Sequence, residues 1–326
     1  MGILPELSLL RRLEQLSFVA RHVRAGQSAG ERRSTKRGTS VEFADYRDYT
    51  RGDDLRRVDW NIYARLERPF VKLFEEEEDL AVHVLLDGSG SMDWGGGGGQ
   101  GERGTGGQGD KETGGLGEEG ANKWMYARRL AAALGYVALV GGDRLTVATL
   151  QSPNSELRTR NSSLLSRFGP VRGRGHALRL FEWLAGPVAG GTTDLNARLR
   201  AYAVSGGRPG LALLISDLFS PAGYVEGLTA LAAWGYEVAV IHVLAPDEVE
   251  PPLAGDLRLL DVETGQPQDV TIDGRMRALY RARLAAWRDE IQATCRARDV
   301  HYVPVETDVP FDRVVLYDLR RVGLLK

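Results

Sequence analysis

The chain has 326 residues, 43% apolar and 26% charged, which suits a globular protein with one large α/β domain and a smaller appendage. A formal net charge of −2 argues against general nucleic-acid binding, which draws on surplus Lys and Arg, and the single cysteine, Cys295, excludes an intrachain disulfide or a cysteine-based zinc site. The longest apolar run, Leu130–Val140, falls short of the roughly 18–20 residues of a membrane span, and Pro5, Glu6, Arg11, Arg12 and Glu14 break up any signal-peptide core. A cytoplasmic location is the expectation.

Taken in chain order, Leu7, Leu10, Leu13, Leu16, Val19 and Val23 recur at spacings of three and four, which predicts an amphipathic helix over 3–25. Residues 26–38 form a basic loop, read either as a solvated surface or as an anion or partner contact. Phe70–Phe74 reads as a strand leading into the acidic run Glu75–Asp79. Leu80-Ala-Val-His-Val-Leu-Leu-Asp87 is nearly continuous in apolar residues, as in a parallel strand covered on both faces. About half of residues 95–120 are glycine, and this run is expected to be a disordered insertion.

Beyond it, helices are predicted over Lys123–Val140, His176–Leu184, Leu195–Val204, Pro221–Trp234, Arg275–Arg298 and Pro310–Arg320. Strands are predicted at Arg144–Leu150, Leu211–Asp217, Tyr236–Val243 and His301–Val305, with a hairpin at Leu257–Val262 and Asp269–Ile272. Cys295 falls on the apolar stripe of the helix over 275–298 and reads as core. Strands alternating with helices predict a mostly parallel sheet covered on both faces. Residues 1–78 are read as the amphipathic helix plus an irregular segment, and 79–326 as the α/β domain.

The chemistry concentrates at Asp87-Gly-Ser-Gly-Ser91, directly after a buried strand, where ligands of open α/β sheets bind. Gly88 and Gly90 are expected to let the backbone curl so that Asp87, Ser89 and Ser91 converge. Three hard oxygen donors suit magnesium, manganese or calcium. The turn lacks the Gly-Lys-Ser/Thr end of a P-loop, the flanking glycines of a nucleophile elbow and the third glycine of a dinucleotide fingerprint. Gly190-Gly-Thr-Thr-Asp-Leu195 adds Thr192 and Thr193, where helix capping is the competing reading. Asp217 ends a second buried strand and reads equally as a turn or cap aspartate.

Asp87-x-Ser-x-Ser91, a Gly-Gly-Thr turn and Asp217 together resemble the metal-ion-dependent adhesion site of von Willebrand factor A domains. Thr193 matches best, because Thr193-x-Leu195-x-x-x-Leu199 reproduces the family's spacing; Thr192 stays open. Upstream, Glu42-Phe43, Asp45-x-Arg47-x-Tyr49, Gly52-Asp53-Asp54-x-Arg56, Asp59-Trp60 and Ala64-Arg65 resemble the bacterial domain-of-unknown-function 58 family, which joins such a block to an A-like domain. Arg51-Gly-Asp53 belongs to that block, and Asp59, Trp60 and Arg65 are read as a buried charge-assisted contact or a partner contact.

The resemblance implies a doubly wound A-type fold, one divalent cation (Mg2+ first, Mn2+ or Ca2+ next) on Asp87, Ser89, Ser91, Thr193 and Asp217, and a carboxylate-bearing protein partner. It also implies association with a MoxR-type AAA+ ATPase in chaperone-like assembly or maturation. Many relatives carry transmembrane helices, which this sequence lacks. No enzymatic activity is expected, because none of the five histidines accompanies the motif. The alternatives are a metal-dependent hydrolase or phosphatase, disfavoured by Ser89 where a second acid would stand, and a metal-free scaffold with a degenerate site.

Overall fold

A computed structural model describes residues 5–19, 42–50, 58–75, 80–95, 122–151, 166–205, 207–252, 255–260 and 267–326. The basic stretch 26–38, the Arg51-Gly52-Asp53 tripeptide with the rest of the signature through Arg56, and the glycine-rich run after Gly95 lie outside the described residues. The chain divides into two compact units, Met1–Ala25 with Leu80–Lys326, and Gly26–Asp79.

Helix α1 (Leu7–Leu13) opens the larger unit and is shorter than its apolar stripe. The chain leaves the helix because Ser17 and Val19 pair with the C-terminus: their N–H groups reach the Lys326 and Leu324 carbonyls at 3.2 and 3.0 Å. Leu9, Leu13, Leu16 and Phe18 are buried, whereas Leu7 of the predicted stripe faces solvent. This helix, grouped in sequence with the signature segment, packs with the α/β unit.

The smaller unit pairs β1 (Glu42–Asp48) antiparallel with β2 (Phe70–Glu75) across α2 (Trp60–Leu66). Asp59 is the N-cap of α2, accepting from the Asn61 and Ile62 N–H groups at 2.9 and 3.3 Å and from the Tyr46 hydroxyl at 3.2 Å. That corrects the reading of a buried Asp59, Trp60 and Arg65 contact. Asp59 is buried, but Trp60 and Arg65 are exposed.

The larger unit continues with β3 (Ala81–Asp87), α3 (Lys123–Val140), β4 (Arg144–Leu150), β5 (Ser166–Arg172), α4 (Ala177–Ala185) and α5 (Leu195–Val204). Next come β6 (Leu211–Ser216), α6 (Val225–Ala233), β7 (Glu237–Leu244), α7 (Pro246–Val249) and the antiparallel hairpin β8 (Gly255–Leu260) and β9 (Pro267–Ile272). Helix α8 (Gly274–Arg296) and β10 (His301–Glu306) follow. The predicted last helix runs without a gap over 311–321, with a π-helical stretch at Val314–Asp318 in its middle, and Val314, Val315, Leu316 and Leu319 are all buried.

The six-stranded sheet runs β10-β7-β6-β3-β4-β5, parallel except for β5. Sequence patterning missed β5, because Gly169 and Pro170 interrupt it and only Phe168 of the strand is buried; an edge strand tolerates such residues. Alternate strand residues feed two cores. Val82, Val84 and Leu86 of β3 pack with residues of α1, α3, α4 and the C-terminal turns; Leu85 packs with residues of α5, α6 and α8. Coverage on both faces is why the parallel strands read as unbroken apolar runs.

Candidate functional site

Strand β3 sits between β4 and β6, and the chain leaves it toward β4 on one side while β6 lies on the other. The connections part at that point, which opens a crevice at the carboxyl ends of β3 and β6. Leu86 pairs with Ile215, so Asp87 and Ser216–Asp217 emerge side by side. The Ser216 hydroxyl donates to Asp87 Oδ2 at 2.5 Å, and the Ser89 N–H donates to Oδ1 at 3.0 Å.

The turn after Asp87 is a single 3-10 turn, Gly90–Asp93, with Ser89 Oγ and Ser91 Oγ 3.0 Å apart. The expected role of the glycines needs correcting. Neither Gly88 nor Gly90 adopts a positive φ; Gly191 does, at 72°. Gly88 is instead needed for space, since a Cβ there would run into the Gln151 side chain, whose amide donates to the Gly88 carbonyl at 3.0 Å.

Backbone hydrogen bonds lash the threonine turn to this one. The Gly190 N–H reaches the Gly88 carbonyl at 2.9 Å, and the Gly90 N–H reaches the Gly191 carbonyl at 2.7 Å. Ser220 Oγ, just beyond Asp217, donates to the Thr193 carbonyl at 3.1 Å. All three turns named from the sequence thus meet at the crevice. Thr193 is buried and Thr192 exposed, while Asp194 takes the capping role by accepting from the Ala197 N–H at 2.9 Å. Thr193 Oγ1 has no hydrogen-bond partner, the one buried hydroxyl among the described residues so placed.

Asp87, Ser89, Thr193 and Asp217 are buried, and Ser91 is partly exposed at the mouth. Burial, reinforced by the neighbouring Asp217 charge, pushes the Asp87 carboxyl up to about 7. Asp217 Oδ1 accepts the Phe219 N–H at 3.0 Å, and Leu218 between them holds a left-handed φ of 59°, a strained conformation for a branched side chain.

Two participants escaped the sequence reading. Lys123, the first residue of α3, is wholly buried, with Nζ 2.7 Å from Asp217 Oδ2 and 2.5 Å from Glu248 Oε1. Glu248, on α7 after β7, also accepts the Ala245 N–H at 2.8 Å, and burial raises its carboxyl above the usual range. A lysine at the first position of a helix carries the pattern of a solvent residue, although α3 is buried on most of its faces, and Glu248 lies 125 positions away in the chain. No local signal pairs them.

Among the described residues no group of three or more His, Cys, Asp or Glu side chains is placed to hold a metal ion. The candidate set has only two carboxylates, and its other donors are hydroxyls. No described helix is long and apolar enough to cross a membrane.

These features define an α/β protein with a hydroxyl-and-carboxylate cluster at the crevice of a largely parallel, mixed sheet. The chain belongs to the family described as protein of unknown function DUF58, whose model matches residues 45–102 and 112–290. An uncharacterized protein of Mycobacterium bovis is 27% identical over 310 residues, covering 94% of this chain and 87% of the relative. One from Mycobacterium avium is 37% identical over 120 residues, covering 36% of this chain and 70% of its own. Among solved structures, the conserved hypothetical protein BatB from Bacteroides thetaiotaomicron aligns at a TM-score of 0.40 and 14% identity, over 75% of this chain and 98% of its own. The pilus adhesin SpaC from Lactobacillus rhamnosus GG aligns at 0.41 and 11%, over 77% of this chain and 31% of its own.

Proposed function

We propose that this protein is a metal-dependent protein-binding module of the von Willebrand factor A type, with a doubly wound sheet and no catalytic activity of its own. Asp87, Ser89, Ser91, Thr193 and Asp217 would hold one divalent cation. The observation that carries the reading is Thr193 Oγ1, buried without a partner on a turn that is hydrogen-bonded to the turn bearing Ser89 and Ser91. An unmatched buried hydroxyl costs about 1–3 kcal/mol, and a cation is the partner its lone pairs fit. The raised carboxyl of Asp87 supports the same reading, because a divalent charge relieves both its burial and its repulsion from Asp217.

An all-oxygen donor set favours Mg2+, with Mn2+ or Ca2+ as close substitutes. When bound, the ion would keep a coordination position open at the mouth beside Ser91, because the protein offers it only five oxygen donors. That open position suits an Asp or Glu side chain of a partner protein. A MoxR-type AAA+ ATPase, with a role in assembly or maturation of a complex, is the partner implied by the family resemblance alone. Both nitrogens of His83 and of His242 are engaged in buried hydrogen bonds, which leaves neither imidazole free to act as a general base at the site.

A second reading, a metal-free binding scaffold, is favoured by Lys123, whose ammonium already faces Asp217. Calorimetric titration of Mn2+ and Mg2+ into the wild-type protein and D87A separates the two. The metal reading expects binding by the wild type and none by a folded D87A, whose secondary structure is checked by circular dichroism. Equal affinity in the two proteins would overturn it, and partner capture that persists in D87A points to the scaffold.

A further inference from the structure

Lys123 is an unexpected residue at this place. Lysine is almost never fully buried unless paired, and here the side chain is 0% exposed. It stands at the first position of an 18-residue helix, the end whose dipole disfavours a cation, so the helix gains nothing from the charge. What holds the ammonium is the pair of acids, Asp217 at 2.7 Å and Glu248 at 2.5 Å, with the Phe219 ring face 5.2 Å away. Phe219 in turn stacks on Trp287 of α8 at 5.0 Å between centroids, which braces the ring over the pair.

Each oxygen of Asp217 therefore has a donor already, the Phe219 N–H on Oδ1 and Lys123 on Oδ2. A divalent cation arriving at Asp217 meets a resident positive charge on the same carboxylate. We propose that Lys123 is a built-in monovalent cation that competes with the divalent ion for Asp217 and thereby sets the affinity of the site for metal. The inference rests on the metal reading above and specifies which residue tunes it. Glu248 is the other anchor: it holds the ammonium when Asp217 is given over to the ion. Three carboxylates, Asp87, Asp217 and Glu248, against one ammonium leave two negative charges when all are ionised, the charge that one divalent cation neutralises.

Mn2+ titration of the wild type, K123M, D217N and K123M/D217N tests the proposal, with calorimetry and thermal melting on each. K123M is expected to bind Mn2+ about tenfold more tightly or better, and the gain is expected to vanish when D217N is already present, because the lysine acts through that carboxylate. Should K123M fail to fold, K123M/E248Q removes a stranded acid and carries the same expectation. A folded K123M with unchanged or weaker affinity overturns the proposal, as does a gain of equal size in the D217N background, which would be a general field effect. The two readings fail differently. Binding by the wild type, loss in D87A and no gain in K123M sinks only the role of Lys123. Absence of binding in both the wild type and K123M sinks the metal site itself, whereas a silent wild type beside a binding K123M identifies the lysine as the ion's full substitute.

Discussion

Asp87 is buried between the Ser216 hydroxyl and the Ser89 N–H, and its carboxyl keeps its proton up to about pH 7 in the folded chain. The unfolded chain releases the same proton near 3.8, so between those values the folded state binds more protons and stability falls as pH rises. An asparagine in place of Asp87 would keep an acceptor oxygen at the site without the charge. In the presence of a chelator at pH 8, D87N is therefore expected to be more stable than the wild type by more than about 1 kcal/mol, with the gap closing toward pH 4. Urea denaturation across that range checks it, and a D87N that is less stable at pH 8 contradicts the stated cause. Excess Mn2+ should reverse the order, since only the wild type gains a ligand. A site residue that destabilises its own fold until it is occupied is a common signature of function rather than of packing.

At the scale of elements, α5 and α6 cross closely where Gly227 faces Leu199. A Cβ at Gly227 would lie 2.8 Å from Leu199 Cβ and 2.9 Å from its Cδ1. Helix α5 begins directly after Asp194, and Asn196 on its first turn reaches across to accept the Gly227 N–H at 2.8 Å and to donate to the Ala222 carbonyl at 2.6 Å. That pair of bonds couples the threonine turn to the chain beyond Asp217. G227A is expected to destabilise by about 1–3 kcal/mol through overpacking and to loosen Mn2+ binding by separating the two turns. A variant with wild-type stability would show that the crossing has room to relax. Most elements here were readable from periodicity: the helices Lys123–Val140 and Leu195–Val204 and the strand Arg144–Leu150 carry the predicted bounds. Strand β5 was not readable, because an edge strand with one buried side chain leaves almost no alternation to detect.

Across the whole molecule, two imidazoles hold the sheet in a state that acid undoes. His83 accepts from the Tyr202 hydroxyl at 2.7 Å and donates to the Arg208 carbonyl at 3.1 Å; His242 does the same with Tyr302 at 2.8 Å and the Asp217 carbonyl at 3.1 Å. Burial lowers both to about 4 from an ordinary 6.5. The unfolded chain takes up these protons first, so the stability that depends on the neutral imidazoles is full above about pH 6.5 and is lost as pH falls toward 4, by about 3 kcal/mol for each, against the opposite slope of the single Asp87 carboxyl. H83Q and H242Q should each flatten that acid slope in urea titrations, and an unchanged slope in both would assign acid lability elsewhere. The sequence by itself determined the alternation of strand and helix and the three polar turns, two at strand ends and one at a helix start, because hydrophobic period and turn chemistry are local properties of the chain. Only the tertiary structure decided that Thr193 turns inward and Thr192 outward, that Asp59 caps a helix, and that Lys123 and Glu248 close on Asp217. Those outcomes depend on which distant segments share a low-dielectric space, and no short-range pattern encodes that.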